Sequence, residues 1–293
     1  MPTATLRCAL VNNLTWKILH KQDMKTPLKD FNSTASNLTT IPPLTADDWG
    51  MTPSINWGIL DLAKRGLVSR VSMMANTRHL SIGLKHLVAL KGIESGLHFN
   101  VTYGRPVGDP ALERSLLYLD SQGRYRFLPQ KQIFLRWTTG RISRTDLRRA
   151  FVTQLSLLQR KGINIKYLDS HHHFHLLPGV ISCLSDLLHA AQITQVRVPY
   201  DPRLWKTKKA PINLLALLLK RELKKNGFQW VPCCYPQLKD YQEPHRLKKL
   251  IQGKSGYEVI THPSIDEDFS ELEFPDVYTL HRYQEYQTIT KLR

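Results

Sequence analysis

Apolar positions along this chain recur with two alternating periods. Short runs rich in β-branched residues give way to stretches in which apolar residues fall three or four apart, and the pair of patterns repeats. A strand near Leu44 to Ala46 precedes a helix from Pro53 to Arg65 closed by Gly66; VSRVSMM precedes a helix from Leu80 to Leu90; GLHFNVT, Gly96 to Thr102, is a third strand. Residues 103–142 hold Pro, Gly and aromatics without a clear period. Alternation resumes with a helix from Thr145 to Arg160, whose Leu147, Phe151, Leu155 and Leu158 form one apolar stripe ended by Gly162. Strand INIKYLD, a helix from Pro178 to Ala191, strand QVRVP, a helix from Pro211 to Lys225, strand FQWVPCC, a helix around His245 to Ile251, strand YEVITHP and a last helix from Asp276 to about Ile289 follow, which makes seven β-then-α units.

Strands that alternate with helices imply a parallel sheet. Seven such units, with no glycine-rich dinucleotide fingerprint after the first strand, imply an incomplete, distorted TIM-like (β/α)7 barrel of the α/β class. Residues 41–293 then form one domain. Residues 1–40, polar and rich in Asn, Thr and Ser, read as a poorly ordered extension, and residues 103–142 read as a long insertion near the site, at the end of the third strand.

Composition narrows the class. With 42% hydrophobic and 22% charged residues the chain can bury a sizeable core. Cys8, Cys183, Cys233 and Cys234 show no C-x-x-C pair, so no disulfide is expected, and LRCALVNNLTWKIL, broken by Asn12 and Asn13, is a poor signal peptide. A cytoplasmic protein is the expectation. The N-x-[ST] sites at Asn13, Asn32, Asn37 and Asn100 then carry no glycosylation meaning. A net charge of +17 is compatible with nucleic acid, an anionic membrane or an anionic substrate. The basic residues are scattered over helices, so no specific nucleic-acid partner is expected, while peripheral contact with an anionic membrane or glycolipid stays open; oligomeric state is not legible. The basic amphipathic helix LLALLLKRELKK is expected to turn its apolar face to the core.

Chemistry collects at the strand ends. Asp47 and Asp48 follow the first strand, His98 lies in the third, Asp169 and His171 to His175 follow the fourth, and His262 ends the seventh. In a barrel these positions share one mouth. Singly each has a plain structural explanation: an Asp pair caps a helix, a strand histidine is satisfied in the core, and a His-rich tract binds metal adventitiously. Jointly, carboxylates and separate imidazoles can supply one oxygen and two nitrogens to a metal and leave positions for water and substrate, with a spare carboxylate to take a proton.

TADDWGMTPSINWGILDLAKRGLVSRVSMMAN, GLHFNVTYGRP, YLDSHHHFHLLP and YEVITHPS, in that order, resemble the YdjC-like carbohydrate deacetylase family, from about Leu44 to the C-terminus. The resemblance implies an incomplete barrel of the glycoside hydrolase/deacetylase type and metal-dependent removal of acetyl from an N-acetylated amino sugar, either an oligosaccharide or a lipid-linked sugar. By the same resemblance Asp48, His98 and His171 are metal ligands, Asp47 the general base and His262 the acid. Asp169, His173, His175 and Arg197 are candidates to support these groups or touch substrate. The family implies Mg2+, whereas two imidazoles and one carboxylate suit Zn2+ or Mn2+ chemically. Two features depart from the family pattern: Pro42 and Pro43 precede the first strand, and Trp49 stands where phenylalanine is commoner. Two rival readings are a nucleic-acid- or membrane-surface-binding protein on an inactive barrel, and a metal-dependent phosphoesterase.

Overall fold

Parallel strands walled by helices are packed on both faces, and the barrel strands here are buried along most of their length except β8 (Gln229–Cys234), whose first residues are exposed. The computed structural model describes residues 44–292 apart from 208–209, 237, 253–256, 268–269, 271, 273–278 and 280. The barrel strands are β1 (Leu44–Trp49), β2 (Arg70–Met73), β3 (Glu94–Phe99), β6 (Ile165–Ser170), β7 (Gln195–Pro199), β8 (Gln229–Cys234) and β9 (Glu258–Thr261). They pair in that order, all parallel, and β9 returns to β1, so the ring closes with seven strands. It is distorted at two places, where the register slips between Ala46 and Trp49 on β1 and between Ser95 and Gly96 on β3.

Helices α1 (Pro53–Lys64), α2 (Leu84–Val88), α4 (Arg144–Arg160), α5 (Val180–Ala190), α6 (Ala210–Lys225), α8 (Pro244–Gln252) and α9 (Arg282–Ile289) belong to the crossovers and the C-terminus; α3 (Gln130–Thr138) and α7 (Leu238–Tyr241) lie in connections. Local chemistry starts the well-formed ones. Thr52 accepts from the Ile55 amide at 3.2 Å with Pro53 in the first turn, and Ser143 accepts from the Asp146 amide at 3.3 Å. The main core lies between strands and helices, with Ile55, Ile59, Leu62, Phe151, Leu158, Leu184 and Leu219 almost fully covered.

Several expectations change. The helix expected from Leu80 to Leu90 is only Leu84–Val88, because Gly83 sits at φ 75° and the residues before it form turns. The stretch 103–142 has structure of its own: an antiparallel hairpin of β4 (Leu117–Leu119) and β5 (Tyr125–Phe127), then α3, whose Trp137 Nε1 donates to the Pro178 carbonyl at 3.0 Å. The apolar face of α6 does not turn wholly inward: Asn213, Ala216, Leu219 and Leu223 are buried, while Leu214, Leu217 and Leu218 are exposed. The expected start of the last helix at Asp276 and the extension 1–40 lie outside the described residues. Cys183, Cys233 and Cys234 are buried free thiols. Among the described residues no helix is long and apolar enough to cross a membrane.

The barrel interior is polar at its centre. Tyr167 lies across it with its ring 3.9 Å beneath the Arg70 guanidinium and its hydroxyl 3.0 Å from Ser72 Oγ. That ring fits only because position 96 has no side chain: a Cβ on Gly96 would stand 2.2 Å from Tyr167 Cε2. Gly96→Ala is therefore expected to lower the unfolding free energy by about 1–3 kcal/mol, read from urea denaturation. Added to Tyr167→Ala, which removes the ring, the same change should cost markedly less; equal costs in both backgrounds would show that the contact is not what fixes the glycine.

Candidate active site

The mouth of the barrel is organised by a turn in which two neighbouring carboxylates part company. β1 runs Asp47-Asp48-Trp49-Gly50, and Asp48 adopts φ 69°, a strained conformation for a residue with a Cβ. The turn is clamped: Met51 N donates to the Asp48 carbonyl at 3.0 Å, Gly50 N to Asn56 Oδ1 at 2.6 Å, and Trp49 Nε1 to the Leu80 carbonyl at 3.0 Å. Asp47 consequently faces the barrel interior and Asp48 its rim.

Asp47 meets Arg197 of β7 in a two-pronged pair, Nη1 to Oδ2 at 2.7 Å and Nη2 to Oδ1 at 2.9 Å. The same guanidinium reaches Asp169 of β6 at 2.6 Å and Glu258 of β9 at 2.9 Å, with the Ser72 hydroxyl at 3.1 Å. All these groups are buried. Burial alone would favour protonating Asp169, but the charges of Arg197 and His98 hold it below the usual carboxylate range.

Asp169 Oδ1 lies 2.8 Å from His98 Nδ1, which aims His98 Nε2 at Asp48 Oδ1, 3.3 Å away. His171 Nδ1 approaches the same oxygen at 3.1 Å, and the two imidazoles meet edge to face with centroids 5.5 Å apart. The other oxygen, Asp48 Oδ2, accepts from Arg282 Nη2 of α9 at 2.7 Å. Burial works to raise the Asp48 carboxyl, yet the Arg282 charge and the imidazoles outweigh it and keep it well below its ordinary value. His98 is displaced the other way: burial would strip its proton, but Asp169 and Asp47 hold it up to about 10.

The His171–Leu176 segment forms 3₁₀ turns with His172 and His173 at φ 52° and 58°. Its later histidines differ in surroundings. His175 has both ring nitrogens engaged, Nδ1 with Ser170 Oγ at 2.5 Å and Nε2 with the Arg197 carbonyl at 3.0 Å, and burial lowers it to about 4. It braces Arg197 from behind and has no nitrogen left for an ion. His173 lies beside Tyr235, with ring centroids 5.1 Å apart, and burial together with neighbouring cations pushes it well below its usual value. His262, at the end of β9, stacks on Tyr235 with centroids 6.3 Å apart while its backbone N–H donates to Glu285 Oε2 at 2.6 Å; burial lowers its imidazole despite the nearby Glu285, Asp48 and Asp47 charges.

Of the residues singled out from the sequence, Asp47, Asp48, His98, Asp169, His171 and Arg197 form one contiguous cluster. Two groups of donors lie within 4.8 Å of one another, Asp48/His98/His171 and Asp47/His98/Asp169. The second is already engaged: each Asp47 oxygen accepts one hydrogen bond from Arg197, and His98 Nδ1 pairs with Asp169, which leaves no imidazole nitrogen there for an ion. The first fits a cation, because Asp48 Oδ1 and His171 Nε2 are buried without a well-formed hydrogen bond and one carboxylate with two imidazoles is a donor set for a divalent ion. Arg282, Glu258 and Glu285 went unnoticed in the sequence. A usable signal existed for Glu258, since a charge inside a buried strand needs a partner; Arg282 and Glu285 lie on a helix with no distinguishing pattern.

Fold and site together define a seven-stranded α/β barrel with a buried carboxylate–imidazole cluster at its mouth, able to hold a metal ion. The chain belongs to the YdjC-like family, whose model matches residues 43–293. It is similar to the carbohydrate deacetylase of Homo sapiens, 26% identical over 243 residues, covering 75% of this chain and 73% of that protein. It also resembles the carbohydrate deacetylase of Xenopus laevis, 27% identical over 197 residues and covering 64% and 63% of the two chains. It thus spans somewhat under two thirds of the length of that relative. A crystal structure of a putative cellobiose-phosphate cleavage protein from Enterococcus faecalis shares the fold, with a TM-score of 0.64 and 17% identity over 85% of this chain and 90% of that one.

The opposite displacements of His98 and the carboxylates set a pH dependence for the metal-free protein. Because His98 is raised on folding, its contribution is complete below its unfolded value of roughly 6.5 and is lost as pH climbs through about 10. Asp48 and Asp169 are lowered, so their contribution is present above roughly pH 4 and is lost as pH falls below it. Guanidinium unfolding of chelator-treated protein at about pH 6 and about pH 9 should show a decline that His98→Gln largely lacks. Parallel declines in the two proteins would remove His98 as the cause.

Proposed function

We propose that this protein is a metal-dependent deacetylase that hydrolyses the acetamide of an N-acetylated amino sugar. The observation that carries the reading is the convergence of Asp48, His98 and His171 beside an Asp47 held by a buried guanidinium. The carbohydrate deacetylases it resembles support the substrate class. A divalent ion held by Asp48, His98 and His171 would supply Lewis-acid polarisation of the acetamide carbonyl and of the attacking water. Asp169 fixes the His98 tautomer and orientation through Nδ1. Asp47 accepts the proton of the attacking water through a lone pair not used by Arg197, which keeps that carboxylate oriented throughout. His262 delivers a proton to the departing nitrogen; a buried imidazole of lowered pKa binds its proton weakly, which favours donation. Magnesium follows from the family, zinc or manganese from the ligand set. Buried free thiols suit a reducing compartment, and a cytoplasmic site of action is part of this reading.

A phosphoesterase reading draws on Arg78 and Arg105, which line a cavity of about 210 Å³ with Met51 and with Tyr103, whose ring packs edge-on to His171 at 5.7 Å. Acetate release from N-acetylglucosamine oligomers and phosphate release from sugar phosphates, measured side by side on protein reconstituted with magnesium, zinc or manganese, separates the two. Acetate release is expected, and phosphate release alone would replace the proposal. Asp47→Asn should retain its metal and lose about 10²- to 10⁴-fold in turnover, whereas His171→Ala should lose metal while keeping the barrel. Full metal content in His171→Ala would overturn the ligand assignment.

The role of His262 has its own test. An amide nitrogen must be protonated to leave, whereas an activated aryl acetate loses a stable phenolate without a proton. His262→Ala is expected to lose far more activity on the acetamido sugar than on the aryl ester. Equal losses would make His262 a positioning group only.

A further inference from the structure

The outward side of α6 is apolar where the outer face of a barrel helix is ordinarily polar. Pro211, Leu214, Leu217 and Leu218 fall on one stripe at helical spacing; Leu214 is 54% exposed, Leu217 39% and Leu218 38%. The barrel does not need them, since Asn213, Ala216, Leu219 and Leu223 already fill the inward side. The stripe runs on into Arg221, Lys224 and Lys225, all exposed. Exposed tryptophans flank the helix in the chain: Trp205, 45% exposed in the turn Pro202–Lys206 that follows β7 at the mouth, and Trp230, 37% exposed at the start of β8. Contiguous apolar surface of this kind marks an interaction site.

Charge decides what covers it. A second copy would bring the same cations against Lys206, Arg221, Lys224 and Lys225. Residues 1–43 carry five basic side chains (Arg7, Lys17, Lys21, Lys25, Lys29) against two acidic ones (Asp23, Asp30), so that segment offers those cations no net counter-charge. An anionic bilayer satisfies both halves of the stripe: leucines and tryptophans enter the boundary between headgroups and acyl chains, and the basic residues meet lipid phosphates. We propose that the Leu214–Lys225 face of α6, with Trp205, docks this protein on an anionic lipid surface. The helix lies along the surface and does not cross it. Because the stripe begins where the chain leaves β7 at the mouth, docking keeps the barrel opening beside the bilayer. This proposal stands apart from the deacetylase reading and is tested without it.

The test is co-sedimentation of the full chain with vesicles of phosphatidylcholine alone and of equal parts phosphatidylcholine and phosphatidylglycerol, alongside a Leu214→Glu/Leu218→Glu variant and an Arg221→Gln/Lys224→Gln/Lys225→Gln variant. Exposed substitutions of this kind leave folding nearly untouched, which circular dichroism and thermal melting check. Wild-type protein is expected to bind the mixed vesicles and not the neutral ones, and each variant to bind about tenfold or more weakly. Binding that survives the leucine substitutions, or no binding to mixed vesicles, overturns the proposal. So does a wild-type dimer in sedimentation equilibrium that the leucine substitutions dissociate, since a second copy would then be the occupant.

Discussion

Arg197 is a cation sealed inside the barrel, and its guanidinium nitrogens are met by Asp47, Asp169, Glu258 and Ser72, from four other strands. Taking such charges out of water costs several kcal/mol per ion, so the arrangement persists only if the charges are paired and hydrogen-bonded at good geometry. They are paired because the strands are parallel and closed into a ring. The guanidinium holds β1, β6 and β9 at fixed positions around β7, and His175 grips its backbone from the other side. Removing one partner would leave an uncompensated charge in a closed interior, which is why this network ties the shape of the barrel to the geometry of its mouth.

From that centre, order passes outward. Arg197 fixes Asp169, Asp169 fixes the His98 ring, and His98 presents its second nitrogen to Asp48. A separate brace arrives from the C-terminus: Arg282 of α9 holds the far oxygen of Asp48, while Glu285, one turn later, accepts from the Thr261 hydroxyl at 2.8 Å and from the backbone of His262. The last helix therefore sets both a rim carboxylate and the strand end that carries His262. Arg282 also leaves Asp48 one oxygen, Oδ1, for the two imidazoles.

How much of this was legible in the sequence follows from the range of the interactions. The seven strand-then-helix units, and the strand-end placement of Asp47, Asp48, His98 and His171, were readable because period and topology alone bring them to one mouth. Partner choice was not. Nothing local tells Arg197 to bind Asp47, 150 residues away, or Arg282 to reach Asp48 across 234. Helix α6 was misread for a different reason: Leu214, Leu215, Leu217, Leu218, Leu219 and Leu223 wrap most of its circumference, so periodicity cannot choose an inward side. The narrower stripe of Asn213, Ala216, Leu219 and Leu223 wins because small and paired residues allow the helix to approach the strands, as when Asn213 Nδ2 donates to the Asp201 carbonyl at 2.8 Å.

The adjacent carboxylates show how a single backbone angle separates two chemistries. In a regular strand Asp47 and Asp48 would already point to opposite faces, one into the barrel and one into the helix layer, where an ionised group has no partner. The register slip after Ala46 and the left-handed turn at Asp48 carry the second carboxylate up to the rim instead, at a local backbone cost of about 1–3 kcal/mol. Each then answers to its own cation, Asp47 to Arg197 beneath and Asp48 to Arg282 at the side. Neighbouring carboxylates inside one buried site are kept from sharing a single environment by this division. In the reaction proposed here one of them must hold a cation while the other accepts a proton, and a pair sharing a single environment could not keep those roles apart.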